Sequence, residues 1–382
     1  MPDLNTKNKS SRIDKFFQLL DYKMLVPVAV LVIIGLVVLN TVLSSGYGAV
    51  IFDYPNNFYK QLAIVLIGLV AAFIICLFEK PTLRLIGALI YGVSIVLLIY
   101  VKVDGFRPVA GADSWIYLPL VGSFQPSELA KIGVAMVSGP IFAQIKEGEI
   151  SNLQGFAKVG LLYAIPFLLV ITEVDLGTSM VILFMFLATL FVWGIKWRYI
   201  LASLAGVTVV VVPLLWQFFL SVSQKNRILT FFFRGNDPAA SYQIDQSLAA
   251  VASGGITGNN SGQYVNVPVK ESDFIFAAIS EQLGLIGSAL VILVAGYFII
   301  YTLRRAAQIE KQSYSSAYVM VALISSIAFH YIENIGMTIG LLPITGIPLP
   351  FISYGGSAMV SNFLLLGVLL NISMDYKLST ID

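Results

Sequence analysis

Asp273 lies in the segment Lys270-Glu271-Ser272-Asp273-Phe274-Ile275-Phe276, where a long polar stretch meets an apolar run. A carboxylate beside aromatic bulk at a membrane surface can have its pKa raised by desolvation, which suits a general base. The same Asp could instead cap the helix that follows it. Glu128 and Lys131 stand at i, i+3 and share a helix face. They could neutralise each other inside the protein, or hold a substrate headgroup. Glu281 falls about two turns into an apolar helix. An ionisable group there costs about 2.5–3.5 kcal/mol in lipid, so it must face inward or pair. Asp175, ahead of Leu-Gly-Thr, either caps a helix or takes part in function, and Glu173 sits two residues before it. Glu333 and Asn334 follow His330 by one turn, near the end of another apolar run.

Signals that are absent narrow the chemistry. The chain has no P-loop, dinucleotide fingerprint, HExxH or GxSxG elbow, so ATP, zinc and a serine triad are not expected. One histidine, His330, excludes clustered-His metal chemistry, and one cysteine, Cys76, excludes an intrachain disulfide. If the chain is an enzyme, carboxylates carry it, with no certain cofactor and a divalent cation (Mg or Mn) as one option.

These residues must be positioned by membrane-embedded helices. Hydrophobic residues make up 58% of the chain and charged residues 12%, with a mean hydropathy of +0.86. A soluble domain is about half apolar and a quarter charged, so this is an all-α integral membrane protein. The net charge of +2 gives no reason to expect nucleic-acid binding. Apolar runs long enough to cross a bilayer fall at 24–45, 61–78, 82–101, 126–145, 156–173, 177–195, 199–221, 274–303, 315–342 and 350–373. That predicts about ten transmembrane helices, the 126–145 run being the least hydrophobic. With the N-terminus in the cytoplasm, basic residues favour the inner side by roughly two to one. Both termini are then cytoplasmic, as tails at 1–23 and 374–382. The first apolar run lacks a small-residue cleavage site, so the N-terminal tail is read as retained. The whole of 1–382 reads as a single polytopic membrane domain without an evident repeat.

Two outer segments are long, 102–125 and 222–273, the second lying between the seventh and eighth spans. Long loops are usually functional or disordered, and the apolar and aromatic content here argues against disorder. Gln246–Ser253 could form a short amphipathic helix. The segment Gly336–Ser357, GMTIGLLPITGIPLPFISYGGS, is too apolar for an exposed loop and too rich in breakers for one helix. Pro343, Pro348 and Pro350 each remove a backbone donor, and Gly340, Gly346, Gly355 and Gly356 loosen the chain. Broken backbone at membrane depth is tolerated where protein buries it or a water-filled cavity receives it. The segment is therefore a working site or a kinked helix pair with a tight turn.

Several blocks together resemble the SEDS family (shape, elongation, division and sporulation), which includes RodA, FtsW and SpoVE. They are Phe124-Gln125-Pro126-Ser127-Glu128-Leu129-Ala130-Lys131 with Trp115 upstream, Asp175-Leu176-Gly177-Thr178, Tyr242-Gln243 through Ser253-Gly254-Gly255, Asp273-Phe274-Ile275-Phe276-Ala277 with Glu281 and Gly284, and Asn334 through Ser357. The resemblance covers nearly the whole chain. The wording GIPLPFISYGGS and the short tails are more like the RodA branch.

The resemblance implies a peptidoglycan glycosyltransferase of the bacterial plasma membrane. It would polymerise lipid II in cell-wall elongation, with Asp273 as the catalytic residue and a class B penicillin-binding protein as partner, beside other elongation or division membrane proteins. Trp115, Glu128, Lys131, Asp175, Gln243, Ser253, Glu281, Asn334, Pro350, Ser353, Gly355 and Ser357 would bind substrate or support the site. Where relatives often carry basic residues before the loop tryptophan, this chain has Asp113 and Ser114; Val174 stands in place of the usual Pro before Asp-Leu-Gly-Thr, and Gly258-Asn259-Asn260 in place of Gly-Lys-Gly. These departures weaken any cationic contact to a diphosphate from those positions. Alternatives from the same residues are a septal FtsW-like synthase, a lipid II flippase built on broken helices, and a scaffold for a partner enzyme.

Overall fold

The computed structural model describes residues 15–44, 56–104, 114–118, 122–206, 213, 216–217, 220, 222–233, 238–261 and 263–381. Among them run helices α1 (Phe16–Leu19), α2 (Tyr22–Ser44), α3 (Asn56–Cys76) and α4 (Lys80–Asp104). A short antiparallel hairpin of β1 (Ile116–Leu118) and β2 (Gly122–Phe124) follows. Then come α5 (Pro126–Glu147), α6 (Asn152–Thr172), α7 (Leu176–Trp193), α8 (Trp197–Gly206), α9 (Val222–Phe232), α10 (Pro238–Ser253), α11 (Ile275–Glu310), α12 (Tyr314–Thr338) and α13 (Gly356–Ile381).

Nine of the described helices are long and apolar enough to span a bilayer: α2 through α7 and α11 through α13. They match nine of the ten expected spans. The remaining one, 199–221, lies largely outside the described residues; α8 covers its beginning. In the most apolar stretch of each helix, 72%, 78% and 83% of residues are buried for α5, α12 and α13, against 44% or less for the other six. The bundle therefore has a protein-facing interior of three helices and a lipid-facing ring. This explains why 126–145 reads as the least hydrophobic span: α5 meets protein, not lipid, and can carry Glu128 and Lys131.

Local sequence fixes many of the boundaries. Pro126 opens α5, where a missing amide costs nothing, and Gly148 closes it in the left-handed region at φ 76°. Ser151 caps α6 through Gln154 N–H, and Ser313 caps α12 through Ser316 N–H. Successive spans alternate in direction, so one end of the bundle gathers the α4–α5 connection, the α6–α7 turn, the start of α11 and the α12–α13 connection. At the opposite end Asp21 is buried against Arg305, Tyr301 and Ser373, and Lys80 bonds Ser313.

Several expectations need correction. The ninth and tenth spans do not reach 342 or start at 350: α12 stops at Thr338 and α13 begins at Gly356. The three prolines between them leave the backbone without a helical ladder. The region 222–273 holds two helices, α9 and α10, and α10 begins eight residues before Gln246. Residues 374–381 of the expected C-terminal tail are helical, continuous with α13. The hairpin of β1 and β2 within 102–125 was not foreseen.

The start of α11 agrees with the expected 274–303 span, but a break inside it was not foreseen. Gly284 interrupts the helix at φ 64°, ψ −161°. Leu285 N–H donates to Gly255 O at 2.9 Å, Ile286 N–H to Ile256 O at 3.2 Å, and Asn259 N–H to Glu281 O at 2.7 Å. The loop after α10 thus supplies the partners that the helix loses at its break. Only glycine adopts this Gly284 geometry without strain, and a Cβ there would strike the backbone of Ile256 and Gly258.

Candidate functional site

Residues 339–355, between α12 and α13, fold back into the bundle end. Gly340, Gly346 and Phe351 take left-handed φ values of 73°, 75° and 65°. A non-glycine residue there costs about 1–2 kcal/mol. Phe351 is held by edge contacts with Phe298 and Phe363. From the lipid-facing ring, α2 approaches so closely that a Cβ on Gly35 would lie 2.7 Å from Ile352 O.

This segment is tied directly to Asp273. Asn334 Nδ2 donates to Asp273 O at 2.7 Å and to Ile347 O at 2.8 Å. Ser353 Oγ donates to Ser272 O at 2.6 Å and accepts from Leu349 N–H at 2.8 Å. Tyr354 N–H donates to Glu271 O at 2.9 Å. Tyr331 OH donates to Pro350 O at 2.8 Å. Gln61 of α3 donates to Ser353 O at 3.2 Å and accepts from Gly355 N–H at 3.3 Å. Asn334, Pro350, Ser353 and Gly355 therefore share one network with the Asp273 backbone, and Ser357 is buried in the first turn of α13. Gln61 belongs to the same network but carries no signal in the sequence, because its partners are nearly 300 positions away.

The Asp273 side chain is left for other work. The N-cap of α11 is Phe274, which makes no side-chain cap, so the capping reading of Asp273 fails. Its carboxylate is half-buried. A Cβ on Gly346 would lie 3.2 Å from Asp273 Oδ2, so only a glycine leaves that oxygen uncrowded. Burial pushes the Asp273 pKa up to about 7, against the opposing pull of the Ser272 hydroxyl and the Arg227 charge; Glu271 and Asp175 push it further up. A carboxyl with that value is an effective proton acceptor near neutrality.

Around it stand further charged groups. Asp175 caps α7, accepting from Thr178 N–H at 2.9 Å, and accepts from Gln125 Nε2 at 2.7 Å. Burial raises its pKa, offset in part by the Thr178 hydrogen bonds and Lys131. Glu128 and Lys131 pair at 2.8 Å and are both buried. Lys131 Nζ also donates to His330 Nε2 at 2.9 Å, and His330 Nδ1 donates to Pro348 O at 3.0 Å. This pattern places the imidazole proton on Nδ1. The expected pair is therefore one end of a relay from α5, through α12, to the broken segment.

Other expected residues lie apart. Glu281 pairs with Lys270, accepts from Val265 N–H at 2.6 Å and from Ser253 Oγ at 3.4 Å. Glu281, fully buried, thus ties Lys270, Val265 and the exposed Ser253 together and pins the loop to α11. Gln243 on α10 and Trp115 ahead of β1 are half-buried, and neither joins the Asp273 network among the described residues. The neighbouring Ser114 Oγ donates to Glu173 O at 3.4 Å. Glu333, although noted beside Asn334, was not expected to be part of the site. It is 4% exposed and feels the charge of Asp273. Among the described residues no three acidic, histidine or cysteine side chains converge as metal ligands would.

Comparison with known proteins agrees with this architecture. Residues 22–378 match the family model described as cell cycle protein, for FtsW, RodA and SpoVE. The chain is 36% identical over 302 residues to the peptidoglycan glycosyltransferase MrdB of Escherichia coli K12, covering 76% of this chain and 78% of that protein. It is 32% identical over 367 residues to stage V sporulation protein E of Bacillus subtilis, covering 91% and 97%. A solved chain from a peptidoglycan synthase complex, in which polymerization and crosslinking are coordinated, superposes with a TM-score of 0.78 at 26% identity, covering 93% and 98%. The rod shape determining protein RodA of Thermus thermophilus shares the fold with a TM-score of 0.68 at 24% identity, covering 93% and 97%.

Proposed function

Because the chain belongs to the FtsW, RodA and SpoVE family of cell cycle proteins, we propose that it is a peptidoglycan glycosyltransferase. It is a multi-pass bacterial membrane protein that joins lipid II disaccharides into glycan strands, releasing polyprenyl diphosphate. The observation that carries this reading is Asp273: a carboxylate free of any capping role, partly open to solvent, raised by burial to about 7 and anchored through its own backbone to the broken segment.

The reaction follows from that geometry. The hydroxyl oxygen of the attacking sugar bonds to the donor's anomeric carbon while the bond to the diphosphate oxygen breaks. The diphosphate leaves with the electron pair, the hydroxyl proton passes to Asp273, and the configuration inverts. Among the described residues Arg227 on α9 is the cation whose charge is felt at Asp273, and it is our candidate for offsetting the developing diphosphate charge. The bundle end that carries Asp273 faces the extracytoplasmic side, which places both termini in the cytoplasm; the excess of basic residues on the other side supports this. Catalysis there suits a substrate with its sugar in water and its tail in lipid. The identity to MrdB and the RodA-like C-terminal wording support a role in elongation, and the similarity to a chain of a synthase complex supports a class B penicillin-binding protein as partner.

The test is polymerisation of lipid II by the purified chain, with and without that partner. Wild type should form polymer from detergent-solubilised lipid II, where no translocation is needed, which separates a polymerase from a flippase. Asp273→Asn should form none. A folded D273N variant that polymerises at the wild-type rate removes Asp273 from the chemistry.

A further inference from the structure

Beside Asp273 the protein leaves four buried acceptor atoms without a protein hydrogen-bond partner: both carboxylate oxygens of Glu333, Asn334 Oδ1 and Thr345 Oγ1. Glu333 and Asn334 are 4% and 0% exposed. Buried polar atoms are almost always paired, and those that are not call for a specific explanation. They belong to one small region: Glu333 feels both Thr345 and Asp273, and Asn334, the next residue of α12, holds the Asp273 and Ile347 carbonyls. Thr345 Oγ1 faces the Glu333 carboxylate, and Thr345 precedes Gly346, which lies against Asp273 Oδ2. The other arm of Asn334 is committed to Asp273 O and Ile347 O, which fixes the amide orientation and turns Oδ1 away from them. Gly177, of the Asp-Leu-Gly-Thr turn, packs against Thr345 and Ile347 and closes the wall behind them.

We infer that Glu333, Asn334 Oδ1 and Thr345 form a subsite for hydrogen-bond donors of the attacking sugar, its hydroxyls or acetamido N–H, and set that sugar's oxygen against Asp273. This rests on the glycosyltransferase reading above. Three points favour a sugar. The Glu333 carboxylate and Asn334 Oδ1 only accept, the Thr345 hydroxyl beside Glu333 can offer a single proton, and a sugar presents several donors at fixed spacing. The four atoms comprise one carboxylate, one amide oxygen and one hydroxyl, and no acidic trio suited to a metal occurs among the described residues. They adjoin the very carboxylate that receives the hydroxyl proton, so their occupant is the attacking sugar rather than the departing diphosphate. An acceptor lined against a charged oxygen also discriminates strongly against a sugar that lacks the donor.

The experiment compares wild type, Glu333→Gln and Thr345→Val in lipid II polymerisation over a range of lipid II concentration, with thermal unfolding of each. The half-saturating concentration should rise about tenfold or more in E333Q, the range for a hydrogen bond to a charged group, and less in T345V. In both, kcat should fall by a smaller factor, the pattern of lost binding. Unchanged kinetics in both variants overturns the subsite. So does a fall in kcat alone, which would mean that Glu333 acts only through its charge on Asp273, and so does a loss that added magnesium restores, which would mean a cation site. If E333Q does not fold, T345V decides by the same criteria. Wild type that makes no polymer defeats the function itself, whereas polymerising wild type with indifferent variants defeats only the subsite.

Discussion

Asn334→Leu removes one side-chain amide and keeps the volume nearly constant. In the structure that amide is the shared donor for two carbonyls, Asp273 O and Ile347 O, at 2.7 and 2.8 Å. Leucine leaves both without a partner in a site where Asn334 itself is fully buried. An unsatisfied buried acceptor costs about 1–3 kcal/mol, so the pair costs roughly 2–6 kcal/mol if nothing moves. The cheaper response is for the Ile347 end of the broken segment to drift away from Asp273, while Ser353 still holds its other end to Ser272. A drift of about 1 Å in a catalytic arrangement costs about 10²-fold in rate. The variant should therefore unfold somewhat earlier than wild type on heating and polymerise lipid II about a hundredfold more slowly per folded molecule. Initial rates of polymer formation, with the folded fraction measured by thermal unfolding in the same detergent, check this. A folded N334L variant with the wild-type rate would refute the claim that Asn334 holds the carboxylate proposed for catalysis in register.

Two further outcomes are expected. Polymerisation should rise with pH through about 7, since below that Asp273 is protonated and cannot accept a proton; Arg227→Gln removes a charge that lowers this pKa, so its rise should lie at higher pH, and an unmoved or lowered midpoint in the pH–rate profile counts against the assignment. Lys270→Met leaves Glu281 as a buried charge with only Val265 N–H and Ser253 Oγ as partners, and should cost about 3–5 kcal/mol, seen as a lower unfolding temperature; equal unfolding temperatures would show that the pair contributes nothing.

What could be read from the sequence was what is local. Asp175 ahead of Leu-Gly-Thr and Pro126 ahead of Ser-Glu each fix a helix end within a few residues, and i, i+3 spacing alone joins Glu128 to Lys131. The breakers of Gly336–Ser357 announced broken backbone for the same reason, while leaving a working site and a kinked helix pair both open. Asp273 was ambiguous, because a residue before an apolar helix looks like a cap; only the backbone shows that Phe274 takes that position. What escaped depends on distant partners. Gln61 meets Ser353 and Gly355 across the bundle, His330 joins Lys131 to Pro348, and Lys270 finds Glu281. No periodicity encodes such meetings. The interruption at Gly284 was hidden because an isolated glycine in an apolar run is ordinarily tolerated in a helix.

That interruption carries an implication for biogenesis. A span normally satisfies its own amides as it enters lipid, but this one borrows from the chain upstream of it, at Gly255 and Ile256. The upper portion of α11 therefore cannot mature during insertion. It waits until the preceding loop has crossed the bilayer and settled, so Asp273, the carboxylate proposed above to accept the proton, reaches its place only once that loop is seated.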